Sequence, residues 1–307
     1  MLYIKRESLM RHLLANTLSA AILAILVSCA ATRTDQVVLC GDERVMIVDM
    51  AHSSDTALHV VWDWTTAELA GQLPEGKIRQ LRPTDECKFV CRNRKLLITS
   101  SGNAVLLLDI ATKRAEFFAD APMAHSADML PRGRVAVALS TTKKGNALEV
   151  FDKSRPDKPF FRDSLYSGHG IVWNKHHRRL YTLNYNEIRE YKLLDWRSSH
   201  PSLRCTRRWP LPLTGGHDLS YVDKDHMLVT GEDKGVRIFH INTGTFEPFQ
   251  PLADIPDVKS VNYAPQSGCI VYTVAEESWW THHVYSKSPD RFITIPSLRI
   301  YKVRTPR

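Results

Sequence analysis

From Gln36 onward the chain is expected to be all-β: a single β-propeller of four-stranded antiparallel blades. Three observations predict it. Helical periodicity is nearly absent after Cys29, short β-branched and aromatic runs alternate with turn residues, and one local marker returns every 39 to 48 residues. A lone four-stranded sheet leaves both faces bare. Blades stacked in a ring cover one another's faces and close the structure.

The first element is a leader. Lys5, Arg6 and Arg11 precede an uncharged apolar run from Leu18 to Val27, which ends in Leu26-Val27-Ser28-Cys29. That run is about half the ~20 residues needed to cross a bilayer, so it reads as a secretory signal and not as a membrane span. A cysteine directly after Leu-Val-Ser resembles a bacterial lipobox, which implies cleavage before Cys29 and lipidation of its thiol. The expected division is a lipoprotein signal peptide over 1–28, a short lipidated linker over 29–35 and the propeller over 36–307. This places the protein in the bacterial cell envelope, held to a membrane by its lipid, with the outer membrane the expected site, on its periplasmic or surface side.

The blades follow. Runs such as Val45–Val48, Leu96–Thr99, Val105–Leu108, Val135–Leu139, Leu148–Phe151, Leu180–Leu183, Met227–Thr230, Val236–Phe239 and Ile270–Thr273 read as strands. The marker precedes each unit: Asp85-Glu86, Ala124-His125-Ser126, Gly168-His169-Gly170, Gly216-His217-Asp218 and Val258-Lys259-Ser260. Blades therefore start near Glu86, His125, His169, His217 and Lys259. The segment from Gln36 to Trp64 gives strands of one more, closed by Leu298–Val303 pairing with it. The count is six, with seven the alternative. Ala67–Pro83 reads as a surface insertion, and Trp62-x-Trp64 as blade packing.

In a propeller the innermost strand of each blade lines a central channel. The markers should therefore bring Glu86, His125, His169, His217 and Lys259 to one rim of it. The loops carrying Ser100, Ser101, Tyr185, Glu232, Glu277, Trp279 and Trp280 should reach the same rim, and all these loop residues, with Glu86, are expected ligand contacts. Three roles stand open for the histidines. His125, His169 and His217 suit a divalent metal at the channel rim as the cofactor. With Lys259 they suit acid/base catalysis. They also suit hydrogen bonds that hold blades together. Trp279-Trp280 offers a stacking face for sugars or cations.

The net charge is +8. The leader contributes Lys5, Arg6 and Arg11 against Glu7, which leaves the mature chain near +6. That balance favours an anionic partner, such as an acidic glycan or lipid headgroups. No basic tract is interleaved with aromatics, which argues against nucleic acid. After lipidation Cys40, Cys87, Cys91, Cys205 and Cys269 remain, an odd number at irregular spacing. They read mainly as small buried residues, with Cys87 and Cys91 on one strand face, and not as a disulfide framework or a structural zinc site.

The motif set resembles a family of Bacteroidota propeller lipoproteins known as domain of unknown function 6528. The residues that carry the resemblance are the lipobox, Trp62-x-Trp64, Glu86-Cys87, Ser100-Ser101-Gly102, Ala124-His125-Ser126-Ala127, Asp163–Gly170, Gly215-Gly216-His217-Asp218, Val258-Lys259-Ser260, Glu277–Thr281 and Ile300–Arg304. The resemblance spans nearly the whole mature chain. It implies the fold and the envelope location, and no activity. A looser, fold-level similarity is to propeller polysaccharide lyases, which gather histidines around a metal. Three functions follow as expectations: a module binding a carbohydrate or a partner protein; a polysaccharide lyase or glycoside hydrolase, metal-dependent or based on His and Lys; or a structural scaffold without a ligand.

Overall fold

The computed structural model describes residues 35–306; the leader and Cys29 lie outside these residues. Six four-stranded antiparallel sheets make a six-bladed propeller. The second blade runs from the channel outward as Thr84–Val90, Lys95–Ser100, Ala104–Asp109 and Ala115–Asp120. The third to sixth blades repeat this order, with inner strands Ala124–Leu130, Gly170–Asn174, Asp218–Tyr221 and Val258–Ala264.

The first blade is built from both ends of the propeller. Its inner strand is C-terminal, Ile300–Arg304, and it pairs with Gln36–Gly41, Leu39 opposite Val303. Arg44–Asp49 and Val60–Thr65 complete the sheet. The closing pair thus lies one or two residues from where the sequence put it, and the count is six. Gly41 faces this junction because there is no room for more: a Cβ there would stand 1.9 Å from the Arg299 carbonyl oxygen.

Strands form where apolar residues can be covered on both sides, and each interface between neighbouring blades holds its own apolar cluster. Trp64, Cys40, Cys87 and Leu106 pack between the first and second blades. Val105, Ala127, Val137 and Phe151 pack between the second and third. Tyr181, Leu219 and Phe239 pack between the fourth and fifth. Burying each such side chain stabilises the fold by roughly 1.5–3 kcal/mol.

One local expectation is corrected. Cys91 does not share a strand face with Cys87: the strand ends at Val90, and Cys91 is an exposed turn residue with φ 54°. All five described cysteines are free, Cys40 and Cys87 buried, Cys205 and Cys269 half-buried. Gly170 is needed for packing, since a Cβ would meet Leu219 Cβ at 2.6 Å and Leu183 Cβ at 2.8 Å. The stretch after the first blade holds a 3-10 turn, Thr66–Leu69, and a short helix, Glu75–Arg79. It reaches Lys113 of the second blade through Glu68 and Gln72, so it lies along the flank of the ring.

Candidate functional site: two mouths of one channel

Each inner strand presents a related series of residues to the channel, and position along that series decides the chemistry. Four of the six inner strands begin with a β-bulge. A bulge leaves one residue unpaired and re-aims its side chain. The residues so placed are Asp85, His125, Lys259 and Tyr301. His169 and His217 stand at the same position just before their strands. Together they make a ring, one residue per blade.

This ring corrects one expectation. Glu86 was to join it; Asp85 takes that place, because the bulge falls between Thr84 and Glu86. Glu86 lies one residue deeper, fully buried. The sequence also gave no member for the first blade, and Tyr301 supplies it. His125 and His169 meet edge to face at 4.7 Å between ring centroids, His169 and His217 at 5.1 Å, and His125 and Tyr301 at 6.1 Å.

The hydrogen bonds of the three imidazoles differ. His125 Nδ1 lies 3.0 Å from the Met123 carbonyl and His169 Nδ1 lies 2.9 Å from the Ser167 carbonyl. A carbonyl only accepts, so in each neutral ring Nδ1 carries the proton and Nε2 is a bare acceptor. Both nitrogens of His217 are buried and make no hydrogen bond. Its Nε2 is 3.2 Å from Glu232 Oε1, without hydrogen-bond alignment.

Burial, together with the His125 and His217 rings, pushes the His169 pKa well below the ordinary range. Burial, then the Lys259 and Lys302 charges, pushes His217 down to about 3. Both are neutral at pH 7. Burial raises the Asp85 carboxyl, which accepts from the Ser101 backbone N–H. Burial also lowers Lys259, whose Nζ is 3.3 Å from Asp257.

One residue deeper the channel is filled. Arg304 makes two 2.7 Å bonds to Glu86 and bonds of 2.8 and 2.5 Å to Asp218. Lys302 is 3.3 Å from Asp218 and donates to the His169 and His217 carbonyls. Lys88 donates to Ser126 Oγ and to the Ile171 carbonyl. Side chains at this depth also stitch successive inner strands. Ser126 accepts the Ile171 N–H, Asp218 that of Val261, and Ser260 that of Val303. Burial raises Glu86, but Arg304, Lys88 and Lys302 more than offset it and hold the carboxyl far below its usual range.

The other expected contacts divide. Ser100 is buried and donates to the Pro83 carbonyl. Tyr185 is 37% exposed and meets Tyr166, 57% exposed, edge to face. Trp279 is 60% exposed, in a turn closed by pairing between Glu277 and Trp280. Trp280 is engaged under the Arg299 guanidinium, 5.4 Å from its ring. Tyr166, beside the Ser167-Gly168-His169 marker, was missed by sequence reasoning.

Also missed was the far mouth. Four residues after each ring position stand Phe89, Met129, Trp173, Tyr221, Tyr263 and Thr305. They wall a cavity of about 560 Å³ at the opposite end of the channel. The spacing is visible in the sequence once the ring position is known.

The three rim imidazoles do not bring three ligand nitrogens within 4.8 Å of one another. Among the described residues the one grouping that does so is Asp49, His52 and His59, on the far face. There Asp49 is already occupied, accepting from the Ala51 and His52 N–H groups and paired with His52 Nδ1.

The sequence model of a family of unknown function, DUF6528, matches residues 28–305. A search of curated proteins found no match. Among solved structures, hydrazine synthase of Kuenenia stuttgartiensis is similar in fold, with a TM-score of 0.50 and 13% identity over 71% of this chain and 68% of that one.

Proposed function

The chain belongs to the DUF6528 family of unknown function, and we propose that it is a lipid-anchored envelope propeller that binds a carbohydrate at the histidine rim without turning it over. One observation carries this reading: His217 is a neutral imidazole whose two buried nitrogens make no hydrogen bond, with Glu232 Oε1 3.2 Å from Nε2 as the one ion-pair contact. Leaving such groups unsatisfied costs about 1–3 kcal/mol, a cost that a bound polar ligand would relieve. Sugar hydroxyls both donate and accept. They match the bare Nε2 acceptors of His125 and His169 and the Lys259 donor, while exposed Tyr166, Tyr185 and Trp279 offer stacking faces.

Binding fits better than catalysis. A base poised for neutral pH has a pKa near 7, and His217 is far below that. A hydrolase needs two carboxylates across the bond, and Glu86 is locked to Arg304. A neutral glycan fits better than an acidic one, because the rim loops, the flank stretch 66–83 apart, carry eight acidic residues against four basic.

The test is calorimetry on oligosaccharides chosen from a glycan array, with product analysis of the same mixtures. Saturable binding, weakened at least tenfold by His217→Ala and by Trp279→Ala and with no product formed, supports the reading. Sugar cleavage, or equal affinity in both variants, sinks it.

A further inference from the structure

The positive charge of the chain is not spread evenly. The eleven loops on the far face, away from the histidine rim, carry twelve Lys or Arg against six Asp or Glu. Three of those twelve are ion-paired: Lys113 with Glu68, Lys153 with Glu116, and Lys224 with Asp225. The other nine are exposed and in no ion pair among the described residues. They fall three to a blade on the second, third and fourth blades, among them Arg92, Arg132, Arg155, Lys158, Lys175 and Arg178. The result is a cationic crescent over half of one face. It borders the cavity walled by Trp173, Tyr221 and Tyr263.

The propeller chain also begins on this face. Val38 pairs with Arg304 and Gly41 with Ile300, so Gln36 lies at the far-face end of its strand. Cys29 is seven residues upstream, a reach of at most about 25 Å.

We propose that the far face docks on an anionic lipid bilayer. The crescent lies against the headgroups and the aromatic mouth sits at the interface, so the histidine rim points away from the membrane. Charge complementarity selects the partner, since basic clusters beside a membrane anchor are drawn to anionic headgroups. Trp and Tyr favour that boundary, with an apolar body on one side and a polar atom on the other. The orientation rests on the lipid-anchor reading only for bringing the face near the bilayer. A lipid chain and a basic patch are the pair of signals that make anchoring stable.

Residues 30–307 retain all six sheets and the closing strand pair, which lie within 36–304, so this lipid-free piece is the reagent. Its flotation is measured with vesicles of phosphatidylethanolamine containing roughly a third phosphatidylglycerol, and with phosphatidylcholine vesicles. The expected result is binding to the anionic vesicles, at least tenfold weaker to phosphatidylcholine, and lost between about 0.05 and 0.5 M salt. Arg132→Glu/Arg155→Glu/Arg178→Glu should lower binding at least tenfold with an unchanged circular dichroism spectrum. Lys143→Glu/Lys144→Glu, on the rim face, should leave it intact.

Three results would overturn the proposal: no binding to the anionic vesicles, equal binding to both kinds, or capture of dextran sulfate with the vesicles ignored. Acylation of Cys29 is scored separately, by labelled palmitate in the full chain and its Cys29→Ser variant. Loss of that reading leaves the vesicle result to stand or fall alone.

Discussion

The rim ring and the layer just below it use the same six blades, and both hold buried polar groups, yet they differ in how fully these are satisfied. In the deeper layer Glu86 and Asp218 both bind Arg304, and Ser126, Asp218 and Ser260 each hold the next blade's backbone. In the ring, His125 and His169 bond only to groups two residues back in their own loops, the Met123 carbonyl and the Ser167 carbonyl and hydroxyl, and His217 makes no hydrogen bond. Buried polar groups are costly unless satisfied. The deeper layer is therefore a fastener, and the ring holds capacity that the fold does not use. After His125 and His217, the next residues, Ser126 and Asp218, hold the neighbouring blade's backbone.

The largest expected effect lies in the fastener. Arg304→Met leaves Glu86 and Asp218 buried without their main counter-ion. The expected loss is about 3–5 kcal/mol, read from urea denaturation. A loss below about 1 kcal/mol for Arg304→Met would erase the distinction between the two layers.

Acid separates the layers next. His169 and His217 have folded pKa values below the unfolded value of about 6.5. The unfolded chain therefore binds their protons first, and stability falls as pH drops below that value. For His217, whose folded value is about 3, this amounts to about 2 kcal/mol between pH 6.5 and 5, and His169 acts in the same direction. Glu86 and Asp218 are also depressed, from an unfolded value near 4. Their contribution is present above that value and is lost as pH falls through the still lower folded values. His169→Gln/His217→Gln should flatten denaturation midpoints between pH 6.5 and 5 and leave the decline below 4. A double variant with the wild-type slope would show that the ring histidines are not buried neutral.

Much of this was legible in the sequence, for a physical reason. A propeller repeats its hydrogen-bonding unit, so His125, His169, His217 and Lys259 announced both the period and the mouth they share. What sequence hid was set by single-residue geometry. The bulge after Thr84 exchanged Glu86 for Asp85, a shift that no pattern of residue types records. Tyr301 joins the ring only because the closing strand comes from the other end of the chain. The aromatics from Phe89 to Tyr263 recur four residues after the ring, but scattered Phe, Trp and Tyr in strands also read as packing. Net charge suggested an anionic partner and could not say where the cations lie; the strand register places the unpaired ones on the far face.

The smallest effect makes the sharpest test of the ring. His217→Leu removes two buried nitrogens that make no hydrogen bond and keeps most of the buried volume. In a residue that only supports the fold, this change should cost stability. Here it should raise stability by about 1 kcal/mol, a gain of a few degrees at most in melting temperature for a chain of this size. The same variant should lose the carbohydrate affinity proposed for the rim. Stability gained with binding lost is the expected trade where a site is kept unsatisfied for a ligand. A variant that melts lower and binds normally would return His217 to the fastener, leaving no difference between the two layers for the ligand reading to rest on.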